Sequence, residues 1–360
     1  MNITICGGGS QGHISAGVIG SNPNYTVNVL TRRPNLWSHD FYTVDLSGKR
    51  YDAKINIITD KPEEVIPESD IIMICLPGYA IREEIEKIRP YVKTTAIVGC
   101  AFGGSGFFIH ALEILGTSAK TFAFQRVPYT GRPKEYGHSA QLKGYKPYLK
   151  VATTNIEDTD ALVKILENWY HTPVYKLSHY LEATLSNSNP LLHPCRLYVL
   201  FKDWTPDTIY HHIPCLYDTD WDDESSKLWV ACDNELRSVL KKLPVVIEEI
   251  PSVLEYYGCQ DTNALTLKMQ SIEPFKGVQP HMTEVDGGYQ LDNKHRYFIE
   301  DIPYGIVMIK SFAELVGVST PNIDSVILWA QKLMGKEYLV DGKLTGKDLD
   351  EACVARHITE

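Results

Sequence analysis

Three hundred and sixty residues exceed one ordinary domain, and a composition of 44% hydrophobic and 22% charged residues excludes a disordered or fibrous chain. The formal net charge of −10 argues against a nucleic-acid partner. Residues 1–150 hold seventeen Lys and Arg against thirteen Asp and Glu, and the remainder eighteen against thirty-two, so the first part suits an anionic cofactor.

Over the first 150 residues short apolar runs alternate with helical patterns, the rhythm of parallel βαβ units. Strands are predicted near Ile3–Cys6, Thr26–Thr31, Ile55–Ile58, Ile71–Leu76, Ala96–Gly99, Thr121–Gln125 and Tyr148–Ala152. His13–Gly20, Glu63–Ile66 and Ala80–Ile88 read as helices between them, the second very short. Val127–Lys146, rich in Gly, Pro, Tyr and basic residues, reads as a loop or an antiparallel hairpin, and Asn155 is placed as the cap of a helix through Tyr170. Beyond about Ser178 helical patterns take over, at Trp229–Leu243, Ile306–Val316 and most clearly Pro321–Met334. That last helix has Thr320 as its expected N-cap, Pro321 in its first position and Gly335 as its stop. Phe275–Tyr297 is polar and reads as an extended loop. No internal repeat or low-complexity segment interrupts the pattern. The expected fold is a doubly wound parallel sheet over residues 1–175 followed by an all-helical domain over 176–360.

The eight cysteines include no CxxC pair and no zinc-like spacing, and most lie in apolar runs such as Ile71-Ile72-Met73-Ile74-Cys75-Leu76. Buried reduced thiols are expected and no metal. The start Met1-Asn2-Ile3-Thr4-Ile5 lacks the marks of a secretion signal, and no apolar run approaches the ~20 residues of a membrane span. These features predict a cytoplasmic protein without nucleic-acid or membrane partners.

Gly7-Gly8-Gly9-Ser10-Gln11-Gly12 contains G-x-G-x-x-G between a predicted strand and a predicted helix. Gly7 permits the tight turn, Gly9 lets backbone approach a diphosphate, and Gly12 permits close strand–helix packing. Ser10 and Gln11 lie in this loop, just before the helix whose N-terminus attracts the diphosphate. The second strand ends Thr31-Arg32-Arg33-Pro34, without the acidic residue that grips the ribose 2′-OH of NAD. Arg32 and Arg33, with the Thr31 hydroxyl, suit the 2′-phosphate of NADP, leaving NAD as second choice. Leu76-Pro77 and Cys100-Ala101-Phe102-Gly103-Gly104 fall at the carboxyl ends of predicted strands, where ligands of open α/β sheets bind. In Ser186-Asn187-Ser188-Asn189-Pro190-Leu191-Leu192-His193-Pro194, Pro194 removes a helical hydrogen bond and predicts an opening or kink. Asn189 and His193, four apart, share a face if the turn is helical.

The glycine motif near the N-terminus, Thr31-Arg32-Arg33-Pro34, Asn189-x-x-x-His193-Pro194, Glu300-Asp301-Ile302-Pro303-Tyr304-Gly305 and Gly317-Val318-Ser319-Thr320-Pro321-Asn322-Ile323-Asp324 together resemble the octopine/nopaline (opine) dehydrogenase family, in matching order over essentially the whole chain. The resemblance implies a Rossmann domain followed by a helical one, and reductive condensation of an α-keto acid with an amino acid by NADH or NADPH. It implies a catalytic histidine at His193 partnered by Asp301, with Asn189 orienting substrate or nicotinamide. A histidine suits delivery of the proton that accompanies hydride transfer. A plain helix N-cap before Pro303 is the other role open to Asp301.

Two substrate carboxylates call for arginine forks, for which Arg126, Arg132, Arg196 and Arg296 are candidates, with Tyr129 and Tyr304 as further polar candidates. Residues 204–224 have no assigned counterpart in the family. Asp218, Asp220, Asp222 and Asp223 there read as a solvated acidic turn rather than a metal loop. Alternatives are a ketopantoate-reductase-like or 2-hydroxy acid dehydrogenase that reduces C=O without an amine, and a non-catalytic NADP-binding sensor. The former commonly use a lysine, and Lys202 is the nearest to His193 in sequence. The partners expected are small-molecule substrates; a homodimer is compatible with a sequence that shows no interface of its own.

Overall fold

The computed structural model describes residues 1–358. It divides into two compact units, Met1–Asn187 and Ser188–Glu360, so residues 176–187, expected in the second domain, cluster with the first. In chain order the first unit contains β1 (Asn2–Cys6), α1 (Ser10–Gly20), β2 (Thr26–Leu30), β3 (Asp40–Val44), β4 (Arg50–Thr59), β5 (Ile71–Ile74), α2 (Gly78–Ile88), β6 (Ile97–Cys100) and α3 (Phe107–Leu115). It continues with β7 (Thr121–Phe124), β8 (Tyr129–Glu135), β9 (Ser139–Tyr145), β10 (Leu149–Thr154), α4 (Thr159–Tyr170), β11 (Val174–Lys176) and α5 (Tyr180–Thr184).

All eleven strands form one sheet, ordered β11-β10-β7-β6-β5-β1-β2-β4-β3-β9-β8. From β7 to β4 every neighbour is parallel. The strand order reverses at β1, with β2 on one side and β5 on the other, which creates the switch-point crevice of a doubly wound sheet. Central strands are covered on both faces, and all four residues of β5, Ile-Ile-Met-Ile, are buried. Each strand predicted from an apolar run is present. The hairpin reading of Val127–Lys146 is realised as β8 and β9, joined to β3, so that α1 packs against β3, β4, β8 and β9 and is buried from Gly12 to Ile19.

Several local expectations change. Glu63–Ile66 is not an α-helix; only a 3₁₀ turn at Pro62–Glu64 forms. Asn155 does not cap α4: its φ is +55° and its amide donates to the Thr117 and Ala119 carbonyls, while the Asp158 carboxylate caps by accepting the Ala161 N–H at 2.9 Å. Strands β3 and β11 and helix α3 are additions to the expected elements.

The second unit contains α6 (Asn189–Phe201), α7 (Asp223–Lys242), α8 (Val253–Tyr257), α9 (Thr262–Ser271), α10 (Arg296–Ile299), α11 (Val307–Leu315) and α12 (Pro321–Met334). Two short hairpins, β12 (Met282–Val285) with β13 (Gly288–Leu291) and β14 (Leu339–Val340) with β15 (Lys343–Leu344), make it predominantly rather than wholly helical. Helix α6 runs through Pro194 without a break, so the interruption falls instead between Leu185 and Ser188, before the helix begins. Thr320 stands at the N-cap of α12, but its hydroxyl donates to Asp324 instead of capping. Glu235 of α7 does that work across the interface, accepting the Asn322 and Ile323 N–H groups, each at 2.9 Å.

Candidate active site

The first unit builds a dinucleotide cradle at the end of β1. Gly7 has φ +118°, and a β-carbon there would stand 2.8 Å from the Cys75 carbonyl oxygen, so only glycine fits where β1 meets the loop after β5. Gly9 is exposed and caps α1 with no side-chain hydrogen bond and no acidic residue in the first turn, which leaves the helix N–H groups and their partial positive charge available. Beside them the Gln11 Oε1 is buried without a hydrogen-bond partner, while its Nε2 donates to the Tyr129 carbonyl. Ser10 is half-exposed at the first position of α1, and Gly12 packs on the Gly7 carbonyl. Leu76 and Pro77 flank the crevice half-buried, with Pro77 preceding α2. The Thr31 side chain is buried and accepts from the Arg33 N–H at 3.5 Å. Arg32 and Arg33 are exposed and make no ion pair among the described residues. An uncapped helix start, an open glycine and two unpaired cations fit a nicotinamide dinucleotide.

The second unit holds a buried histidine–carboxylate pair. His193, on the second turn of α6, is 7% exposed and its Nδ1–H donates to Asp301 Oδ2 at 2.7 Å; Asp301 is 5% exposed. An ionised carboxylate only accepts, so Nδ1 carries the proton of the neutral ring and Nε2 keeps a lone pair. Nε2 makes no hydrogen bond among the described residues. Asp301 immediately precedes a π-helical turn, Ile302–Ile306, a geometry frequent at functional sites, and its side chain makes no cap bond. Gly305 lets that turn approach α6: a β-carbon on it would stand 2.7 Å from Pro190 Cβ. The Tyr297 ring packs on His193 with 4.3 Å between ring centres, and it meets His295 edge-on at 4.6 Å. His295 stacks on His281 at 3.6 Å, and burial and that neighbouring ring depress its imidazole to about 4. Sequence reasoning missed Tyr297, because nothing in a polar stretch announces which tyrosine folds onto the histidine.

Of the remaining candidates, Asn189 opens α6 one turn before His193 and is half-exposed, and Tyr304 is half-buried within the π turn beside Asp301. Arg296 is exposed at the start of α10, next in sequence to Tyr297, without an ion pair among the described residues. Arg132 lies exposed on β8, its guanidinium near the Gly131 carbonyl. Arg126 donates to the Gln125 carbonyl and to both the hydroxyl and the carbonyl of Ser186, which commits it to holding that turn. Arg196 is a correction. It is fully buried and its guanidinium is consumed by the Cys215, Leu216 and Asp220 carbonyls and the Ser225 hydroxyl, so it staples residues 215–225 to α6 and cannot fork a substrate carboxylate. Tyr129 is likewise a core residue, 1% exposed. Lys202 is an exposed partner of Glu224 at 2.7 Å. The acidic residues 220–223 serve the backbone and a hydroxyl: Asp220 accepts the Cys215 N–H, Asp222 caps α7, and Asp223 accepts from Thr266.

A doubly wound sheet with an uncapped, glycine-led helix start is the nucleotide-binding scaffold of the NAD(P)-dependent dehydrogenases, and a buried histidine–carboxylate pair is suited to proton transfer. A family model described as "NAD/NADP octopine/nopaline dehydrogenase, alpha-helical domain" matches residues 176–334, and one for ketopantoate reductase PanE/ApbA matches residues 3–110. Tauropine dehydrogenase of Arabella iricolor is 31% identical, over 96% of this chain and 95% of that protein. Octopine dehydrogenase of Pecten maximus is 28% identical, over 97% of this chain and 94% of that one. A solved octopine dehydrogenase, described with NADH and L-arginine, superposes with a TM-score of 0.88 at 26% identity, covering 99% of this chain and 95% of that one. The chain belongs to the opine dehydrogenase family. It is an oxidoreductase of the CH–NH class that uses a nicotinamide dinucleotide in the reductive condensation of an α-keto acid with an amino acid. No helix of the described residues is long and apolar enough to cross a membrane.

Proposed function

We propose that this enzyme joins a short α-keto acid, pyruvate first among them, to a small amino compound, with His193 and Asp301 as its acid–base pair. The observation that carries the assignment is the 2.7 Å bond between two buried side chains, which leaves Nε2 as the one reactive nitrogen. A protonated amine must lose a proton before its nitrogen can attack the keto carbon, and His193 Nε2 accepts it. The same ring returns a proton to the departing hydroxyl as water is lost and the C=N bond forms. Asp301 fixes the tautomer and faces the ring with a countercharge whenever it carries two protons. The bound dinucleotide supplies hydride to the C=N carbon. Arg296 holds a substrate carboxylate, and Asn189 and Tyr304 orient the amine and the keto oxygen. Pyruvate is favoured because an octopine dehydrogenase at 26% identity is described with it and NADH.

Arg32 and Arg33 give the adenosine end two cations for a 2′-phosphate, and no carboxylate at the end of β2 repels one, so NADPH is used at least as well as NADH. Eight cysteines, none paired, fit a reducing cytoplasm. The ketopantoate-reductase family model matches residues 3–110, short of the segment that carries His193 and Asp301, and Lys202 is engaged by Glu224.

The test is NADPH and NADH oxidation, followed by absorbance, with pyruvate and related keto acids, each with and without arginine, taurine, alanine or glycine. Oxidation that requires both substrates supports the reading; oxidation with keto acid alone replaces it by C=O reduction. Equal losses on NADPH and NADH in Arg32→Ala and Arg33→Ala remove the 2′-phosphate assignment.

A further inference from the structure

The glycine loop has a neighbour that its motif does not announce. The tip of the β8–β9 hairpin folds back onto the start of α1, held by His13, whose side chain is fully buried. The Gly137 N–H donates to His13 Nε2 at 2.8 Å, so the ring carries its proton on Nδ1, which donates to the Gly9 carbonyl at 3.0 Å. One neutral imidazole thus ties the hairpin tip to the glycine loop, and burial, which pushes this ring's pKa down, keeps it neutral.

Tyr136 comes with the tip. Its ring meets His13 edge-on at 4.9 Å and is half-buried. A β-carbon on Gly8 would stand 2.5 Å from the Tyr136 hydroxyl and 2.9 Å from the Thr31 Oγ1, so both oxygens converge over Gly8. The phenol makes no hydrogen bond among the described residues. It is therefore a donor without a partner, set between the glycine loop and the end of β2, where a doubly wound sheet reads the adenosine ribose. The ring is positioned by protein contacts, so presenting the hydroxyl costs little ordering on binding.

We propose that Tyr136 is a dinucleotide-binding residue whose hydroxyl donates to an adenosine-ribose oxygen of the cofactor. The proposal rests on the dinucleotide reading of the glycine loop. It makes the β8–β9 hairpin part of the cofactor site, and it assigns Thr31 as the neighbouring polar group on the same ribose.

Calorimetric titration of the whole enzyme with NADH, NADPH, 5′-AMP and reduced nicotinamide mononucleotide tests this without turnover. Tyr136→Phe keeps the ring against His13, and thermal melting verifies that the fold survives. The expected result is a rise of about three- to tenfold in Kd for the three adenosine ligands, the loss of one hydrogen bond, with the mononucleotide unchanged. Unchanged Kd values for NADH, NADPH and 5′-AMP, or an equal loss on the mononucleotide, overturn it. A parent enzyme that binds adenosine nucleotides yet turns nothing over contradicts the proposed function alone. One that binds none of them overturns both.

Discussion

Replacing Asp301 by Asn keeps the size of the side chain and an acceptor for His193 Nδ1–H, but removes the charge. The bond is 2.7 Å long and its partners are 7% and 5% exposed, so water screens the pair little. With charge centres about 4 Å apart and an effective dielectric near 20, the lost attraction for a doubly protonated ring is about 4 kcal/mol. At roughly 1.4 kcal/mol per decade this removes about three decades of rate if that ring forms in the limiting step. Asparagine can also donate its amide to Nδ1 and invert the tautomer, which acts in the same direction. The assay is kcat for NADPH oxidation at saturating keto acid and amino compound, with dinucleotide Kd measured separately. The glycine cradle sets dinucleotide affinity, and Kd is expected to stay within twofold. Because the two residues act as one unit, the Asp301→Asn, His193→Ala double variant is expected to be no slower than His193→Ala alone. A kcat for Asp301→Asn within fivefold of the parent would refute the acid–base assignment.

Tyr297→Leu removes the ring that faces His193 and lowers kcat about tenfold, with both KM values within twofold, whereas Tyr297→Phe restores kcat; equal impairment of the two variants would transfer the role to the hydroxyl. Arg196→Lys leaves buried carbonyls unpaired and costs about 3 kcal/mol, which lowers the melting temperature of the second unit by roughly 6–12 °C. A raised KM with unchanged melting would instead return Arg196 to the substrate site. His110 is 2% exposed, and burial together with Arg82 depresses its ring to about 4. Below the unfolded value of about 6.5 the unfolded chain takes up a proton that the folded ring refuses, so stability falls with pH by up to ~1.4 kcal/mol per unit between about 6.5 and 4. Urea midpoints should therefore drop from pH 7 to pH 5 and drop less in His110→Gln; parallel losses would exclude His110 as a source.

The parallel core and its glycine loop are legible in the sequence for a physical reason. Strands covered on both faces are nearly continuous apolar runs, and Ile71–Ile74 announces itself without any neighbour. Strand β3, Asp40–Val44, is half-covered and shorter than its polar surroundings, so its signal disappears. Helix α12 is legible through Pro321 and Gly335, but its true cap, Glu235, is 87 residues from Asn322 and no local pattern connects them. Arg196 shows the same limit from the other side. Helical spacing places it near the face of His193, yet the carbonyls of residues 215–220 decide its role, and only the folded chain brings them there. Family likeness alone put His193 with Asp301, since no spacing rule joins residues 108 apart; the Tyr297 ring and the Tyr136 hydroxyl depend on loop conformations that no spacing rule encodes.

The pair also explains why the prolines of α6 were a signal with the wrong local meaning. Pro190 occupies the first turn of α6, where its missing N–H would have been unsatisfied in any case. Pro194 follows His193 and deprives the Pro190 carbonyl of its usual helical donor. On the facing element Asp301 is followed by Pro303 and a π turn, which departs from regular i→i−4 bonding. His193 thus stands beside a proline that leaves one helical carbonyl without its donor, Asp301 stands at the start of a π turn, and Gly305 lets that turn close on α6 at Pro190. A regular α-helix in place of the π turn would present a different register of side chains. The sequence features that read as a helix break are better understood as the means of setting a histidine and an aspartate, 108 residues apart, at hydrogen-bonding distance in a buried site.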